Sequence, residues 1–285
     1  MRIFPGFLLA VVLAGCAAPA AETVVDTQAP RRIVTLNGTL TEVVSALGLG
    51  DRIVGTDVTS KYPDAVNELP KLGHDKQIRA EGILSLSPGL VMANEGQLEP
   101  AVEDQLRQAG IRLMLFNPAH TIAGTQALIA QVADSLHRAT EAHQLTVAME
   151  EGLAAVEPPR PAPKVLFIYA RGAGTLLVAG EGTPIQALIE LAGGRNAITG
   201  FREFKPLTPE ALVAANPDVV LVFNTGHGDL QGREALLRVP GMASTSAGRT
   251  GAFVTLQPVV MAGFGPRVGE AVAVLNQDLR AAVSP

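Results

Sequence analysis

The 285-residue sequence contains no tryptophan, only two tyrosines and a single cysteine, Cys16. One cysteine cannot form an internal disulfide, so the fold must be held together by its apolar core, for which 47% hydrophobic residues are ample. The net charge of −5 excludes the basic surface that nucleic-acid binding requires. Beyond the N-terminus, no segment is apolar for the length of a membrane-spanning helix.

Sequence motifs of the common enzyme classes are also missing. There is no Gly-x-Ser-x-Gly elbow, no Gly-x-x-x-x-Gly-Lys-Ser/Thr loop and no His-Glu-x-x-His pair. The glycine-rich segment at residues 171–175 lacks the spacing of a dinucleotide site. We therefore expect no enzymatic activity and no catalytic cofactor.

The N-terminus carries an export signal. Arg2 precedes a short apolar run at residues 7–13, and small residues lead directly to Cys16. This pattern resembles the lipobox of bacterial lipoproteins, which implies that residues 1–15 are removed and Cys16 is acylated. Residues 16–30 are small and polar and suit a flexible tether. The expected location is the periplasm or cell envelope, with lipid anchoring through Cys16; a plain signal peptide is the alternative.

The rest of the chain alternates predicted strands with predicted helices, which indicates parallel sheets built from βαβ units. The pattern changes at residues 121–156, where apolar residues recur at helical intervals until a proline-rich stretch. We predict an α/β fold of two lobes, each with a mostly parallel sheet flanked by helices, joined by one long linker helix. The predicted boundaries are an N-terminal lobe at 31–118, the linker helix at 119–160 and a C-terminal lobe at 161–285.

The second half repeats a piece of the first. Residues 81–92 align without gaps with residues 210–221, and each piece predicts a short helix, a proline stop and a buried strand. This repeat supports two similar lobes with a cleft between them, and clefts between domains are preferred ligand sites. Because a helix crossing between lobes is stiff, we expect closure on the ligand to be small.

These segments resemble the helix-linked (class III) solute-binding proteins of bacterial ABC importers for haem, cobalamin and iron–siderophores. The resemblance covers nearly all of the mature chain. It implies that Glu81 and Glu210, one from each lobe, contact arginines of the permease, which works with an ATPase. Both glutamates also begin predicted helices, where a carboxylate is favoured by the helix dipole, and this capping role is the alternative.

Within that group the sequence is most similar to the haem-binding branch, notably at residues 72–82, 239–248 and 263–267. Members of this branch usually have a tyrosine iron ligand followed by an arginine, whereas this chain has His74 and Lys76 at those positions. Neutral imidazole is an established axial ligand of haem iron. We predict that His74 ligates the iron of haem, the transported ligand, and that Lys76 meets a propionate; His74 as a polar loop residue is the alternative.

Other residues are weaker candidates for the cleft. Tyr62 and His227 are further candidate iron ligands, while Arg171 suits a carboxylate contact and Met261 and Phe264 suit an apolar wall. His120, His137 and His143 are expected to be solvated. A cobalamin or ferric-siderophore ligand is the alternative function, which the scarcity of aromatic residues disfavours. The protein is expected to act as a monomer.

Overall fold

The computed structural model describes residues 30–171, 175–223, 232–256 and 264–284. The first sheet has four strands, β1 (Ile33–Thr35), β2 (Ile53–Thr56), β3 (Leu90–Asn94) and β4 (Arg112–Phe116). Their order is β2-β1-β3-β4, and every neighbouring pair is parallel. Residues 90–93 are fully buried, because helices cover the sheet on both sides.

Helices connect these strands. They are α1 (Gly38–Val44), which continues as a π-helical turn at Ser45–Leu49, then α2 (Ala80–Ser85) and α3 (Pro100–Gln108). Asn37 caps α1 by accepting a hydrogen bond from the backbone N–H of Thr39 at 2.8 Å. All five residues of α1 from Leu40 to Val44 are buried, and Thr41 and Glu42 are the polar residues among them.

The second sheet is mixed. Its strands are β5 (Lys164–Arg171), β6 (Thr175–Ala179), β7 (Arg195–Asn196), β8 (Phe204–Pro206), β9 (Val219–Phe223) and β10 (Phe253–Leu256). The order is β10-β9-β5-β6-β8, with β7 beside β5; β10, β9 and β5 run parallel, whereas β6 and β8 are antiparallel additions. The expected α/β architecture of two sheets flanked by helices is confirmed.

The helices of the second lobe are α6 (Pro184–Leu191), α7 (Pro209–Ala215), α8 (Arg233–Leu237), α9 (Ser246–Thr250) and α10 (Val268–Val283). The sequence repeat has its structural counterpart here, because α2 leads into the interior strand β3 as α7 leads into the interior strand β9. No helix within the described ranges combines the length and apolar composition needed to cross a bilayer.

The segment predicted as one long linker helix is two helices, α4 (Ile122–Leu136) and α5 (Ala139–Ala154), and that prediction was wrong. His137 between them is left-handed, with φ 57° and ψ 49°. The backbone N–H of Arg138 bonds the carbonyl of Ala133 at 2.9 Å, which closes α4. The break was missed because a left-handed helix end usually carries glycine or asparagine, and histidine gives no such signal.

After the break the chain turns back. Gln126 near the start of α4 donates to Glu150 near the end of α5 at 3.1 Å, so the two helices lie side by side in opposite directions. Helix α5 packs against the π-helical turn of the first lobe and against α10 of the second. The connection between the lobes is therefore α5, whose 16 residues are less than half of the helix predicted for 119–160.

The largest apolar cluster is common to both lobes. It joins the first sheet to the second through α4, α5 and α10, with members such as Ile33, Leu128, Met149, Leu221 and Leu275. Each sheet also has a smaller apolar cluster on its opposite face. Because the lobes share one packed core rather than a thin connection, their relative position is held by side-chain packing.

Candidate ligand-binding cleft

Loops at the carboxyl ends of the strands form the candidate site, since ligands bind at this edge of parallel α/β sheets. In the first lobe these loops follow β2 and β4. The corresponding loops after β5, β9 and β10 of the second lobe include residues 172–174, 224–231 and 257–263, outside the described residues. His227 and Met261 lie there, and Cys16 and the Arg171 side chain are likewise outside the described part.

His74 stands just beyond the end of β2. The segment before it is hydrogen-bonded to that strand and its loop: Leu72 donates to the Thr56 carbonyl at 2.8 Å, and Val58 donates to the Gly73 carbonyl at 3.1 Å. Gly73 has a φ of 108°, a conformation that favours glycine. The sequence thus builds a fixed turn that presents residue 74 at the cleft edge of the first sheet.

The His74 imidazole is exposed, and its Nδ1 lies 3.0 Å from Oδ2 of Asp75. A carboxylate at this distance favours the tautomer with the proton on Nδ1. Nε2 then keeps its lone pair free for a ligand, and the contact resembles the way carboxylates orient metal-binding histidines. The contact therefore suits an imidazole ligand, and the role of His74 as an iron ligand stays a prediction.

Lys76 points towards the loop before α3. Its Nζ lies 3.5 Å from Oε1 of Glu99 and donates to the Leu98 carbonyl at 3.3 Å. A haem propionate that contacts Lys76 would share its ammonium group with the Glu99 carboxylate. The contact between Lys76 and a propionate stays a prediction.

Tyr62 lies where the first lobe meets the second. The guanidinium carbon of Arg267, just before α10, is 3.6 Å from the centroid of the Tyr62 ring. The same guanidinium donates from Nε and Nη2 to both carboxylate oxygens of Glu42 on α1, at 2.8 and 3.1 Å. The hydrogen bond to Glu42 raises the pKa of Arg267, and the negative charge of Glu42 adds to this against the opposing effect of burial.

Phe264 also connects the lobes. It is buried, its carbonyl accepts a hydrogen bond from the Thr125 hydroxyl at 3.4 Å, and its ring lies 5.9 Å from the ring of His120. Its role as an apolar wall for the ligand stays a prediction. His120, His137 and His143 are all exposed, as expected, although His120 contacts Phe264 rather than facing only solvent.

Glu81 and Glu210 occupy the same place in the two lobes. Each is the second residue of its helix, α2 and α7, and each is exposed. Neither carboxylate has an ion pair or side-chain hydrogen bond among the residues that the structure describes. Thr208 already caps α7 through its hydroxyl. The glutamates are available to an external partner.

Two features of the site escaped the sequence reasoning. The Glu42–Arg267 pair joins residues 225 positions apart, although a glutamate within an apolar helix face indicated that a buried carboxylate needs a partner. Tyr169 lies near the carboxyl end of β5, half-buried, with its ring 6.1 Å from that of Phe223 at the end of β9. Its position near the end of a buried strand was the available signal.

The sequence model of the periplasmic binding protein family matches residues 33–260. The chain belongs to this family. It is 26% identical to an uncharacterized ABC transporter substrate-binding lipoprotein of Bacillus subtilis (strain 168), covering 95% of this chain and 94% of the relative. It is also 29% identical to the vitamin B12-binding protein of Yersinia pestis (strain Pestoides F), over 70% and 71% of the two chains.

Solved structures of this periplasmic binding protein's relatives are closer in sequence. The periplasmic heme-binding protein RhuT of Roseiflexus sp. RS-1, in its apo form, is 37% identical with a TM-score of 0.82, covering 89% of this chain and 99% of that one. The periplasmic heme-binding protein BhuT, in complex with two hemes, is 38% identical with the same TM-score and coverage. The fold and the family expected from the sequence are thereby confirmed.

Proposed function

We propose that this periplasmic binding protein is the haem-binding component of an ABC importer. It takes up haem between its lobes and delivers it to the permease and its ATPase. The observation that carries the proposal is the exposed His74 imidazole at the cleft edge, with Asp75 beside Nδ1. The resemblance to haem-binding relatives at 37% and 38% identity supports it.

The chemistry of His74 suits haem iron. Imidazole binds both ferric and ferrous iron, whereas tyrosinate is a hard anion best suited to ferric iron. A tyrosine ligand needs a neighbouring cation to lower the pKa of its phenol, and a histidine ligand does not. The replacement of the branch's arginine by Lys76, paired with Glu99, is consistent with this difference.

Cobalamin is the second candidate ligand, because a vitamin B12-binding protein is among the relatives. That relative covers a smaller share of the chain and is less similar than the haem binders. Absorption titration of the purified protein distinguishes the two. We expect ferric haem to give a shifted Soret band at micromolar protein, and cyanocobalamin to give no saturable change. A saturable cobalamin response without a Soret shift would reject the haem proposal.

The ligand role of His74 is tested by substitution. His74→Ala should weaken haem binding by about 10-fold or more and alter the Soret band, because an axial bond is lost. His143→Ala is the matched control, as it removes an exposed imidazole near the start of α5. An unchanged spectrum in His74→Ala would mean that the axial ligand is Tyr62, Tyr169 or His227 instead.

Permease docking is proposed for Glu81 and Glu210. The double variant Glu81→Arg, Glu210→Arg should abolish haem-dependent growth while leaving the haem affinity unchanged, because docking and ligand binding use different surfaces. The control Glu68→Arg, Glu151→Arg makes the same charge change at two other exposed glutamates. Loss of haem affinity in the first variant, or of growth in the control, would contradict the assignment.

The anchor and boundaries are proposed with the function. Cys16 carries the lipid, residues 16–30 form the tether, and lobes at 31–118 and 161–285 flank the connecting segment 119–160. The lipoprotein among the relatives supports this placement. Cys16→Ser should move the protein from the membrane fraction to the soluble envelope fraction, and an unchanged distribution would argue against acylation.

A further inference from the structure

The Glu42 carboxylate is an unusual group for its surroundings. Its side chain is only 5% exposed, on a helix in which all five residues from Leu40 to Val44 are buried. A buried carboxylate is costly unless it is paired and hydrogen-bonded, and both its oxygens accept from Arg267. The pair therefore fixes the Arg267 guanidinium in one orientation, across the boundary between the lobes.

Arg267 uses the edge and the face of its guanidinium for different partners. The N–H groups along the edge are directed at Glu42, while the plane lies against the Tyr62 ring, 3.6 Å from its centroid. A planar cation bound in this way holds an aromatic ring in a defined orientation. Tyr62 nevertheless remains 46% exposed, so the ring has open surface left after Arg267 is in place.

The loop that carries Tyr62 is itself fixed. Asp57 is 1% exposed and accepts hydrogen bonds from the Ser60 backbone and hydroxyl, the latter at 2.6 Å. Ser60 is bonded in turn to Thr41 on α1 at 2.7 Å, and Lys71 donates to the Ser60 carbonyl at 2.9 Å. An exposed aromatic residue on a loop with so many internal bonds is held ready for contact rather than left to move freely.

We infer that Tyr62, held by the Glu42–Arg267 pair, is a stacking platform for a planar macrocycle and not an iron ligand. This inference rests on the proposed function and deepens it: Glu42 holds the edge of the guanidinium, the guanidinium lies over one face of the phenol ring, and the porphyrin plane stacks on the open face of that ring. Arg267 and Glu42 are positioning residues in this arrangement. The binding energy comes from contact between the face of the Tyr62 ring and the porphyrin, so neither the Tyr62 hydroxyl nor the iron is needed for this contact.

The test uses haem and iron-free protoporphyrin IX with the same variants. Tyr62→Phe keeps the ring and should bind both compounds within about 2-fold of wild type, whereas Tyr62→Ala should weaken both by about 3- to 10-fold. His74→Ala should weaken haem only. Arg267→Met should approach the loss seen in Tyr62→Ala. Arg280→Met is its matched control, because Arg280 lies on α10 and pairs with the exposed Glu157.

The outcomes separate the two proposals. If Tyr62→Phe loses haem as strongly as Tyr62→Ala while protoporphyrin binding is unchanged, Tyr62 is a phenolate ligand and the inference is overturned. Unchanged affinities in Tyr62→Ala overturn it as well, with haem binding by the wild type left intact. A wild-type protein that binds neither compound defeats the proposed function itself. The tyrosine variants leave the ion pair untouched, so they decide the question even if Arg267→Met does not fold.

Discussion

At the scale of single residues, Asp278 is a charge in an unfavourable place. It is half-buried on α10, and its Oδ2 atom has no hydrogen-bond partner within the described part of the chain. Burial raises the pKa of the carboxyl above its ordinary value of 3.8. A carboxyl whose pKa is raised by folding stabilises the protein only while it is protonated, and this contribution is lost as the pH rises through the folded-state pKa.

We predict that Asp278→Asn raises the melting temperature at pH 7 by about 1 °C, because the amide has no charge to desolvate. The gain should shrink as the pH falls below 4, where the aspartate is protonated in both states. Thermal unfolding followed by circular dichroism at several pH values measures this. A gain that stays constant with pH would mean that the charge is not the cause.

The residues of the site differ in how clearly the sequence alone indicates their role. His74 could be proposed from the sequence because it replaces a tyrosine within an otherwise matching segment. The partner of Glu42 could not, because Arg267 is 225 positions away and nothing near either residue points to the other. A single candidate ligand can be recognised in a sequence, whereas an ion pair between distant residues can be recognised only in the folded structure.

At the scale of elements, the sequence predicts best those strands and helices whose ends are marked by a change in residue type. The apolar runs at residues 112–116 and 219–223 predict strands and the run at 184–191 predicts a helix, and β4, β9 and α6 have these bounds. Glycine, proline or polar residues on either side mark the ends of each run. Beyond the divided linker, β6, β8 and β10 were not predicted. Strands β8 and β10 are edge strands and β6 lies beside β8; their partly exposed residues give weak apolar periodicity, so their pairing is decided by the neighbouring strand.

The crossing of α5 and α10 depends on two glycines. A Cβ atom on Gly152 would lie 2.7 Å from the backbone carbon of Gly269, so the helices are in backbone contact there. We predict that Gly152→Ala destabilises the protein by about 1–3 kcal/mol in urea unfolding, since the helices must move apart. Gly82→Ala is the control, because that helical glycine has room for a methyl group beside Leu72. Equal stabilities would show that the crossing adjusts without cost.

At the scale of the whole molecule, the shared core limits movement between the lobes. The largest cluster, together with α5 and the Glu42–Arg267 pair, ties the first lobe to the second. We predict that haem changes the radius of gyration in small-angle X-ray scattering by less than about 0.5 Å, as expected for a preformed cleft without hinge closure. A decrease of several ångströms in the radius of gyration would show that the lobes close by separating parts of the shared core.

The same core has a consequence for how the chain is made. The cluster contains Ile33 near the start of the described chain and Leu279 in its last helix, and both are fully buried. Domains generally fold during synthesis once their whole core is available, so here closure of the core waits for the last helix. Until then the nascent chain lacks a finished domain, which suits a protein that must cross a membrane before it folds.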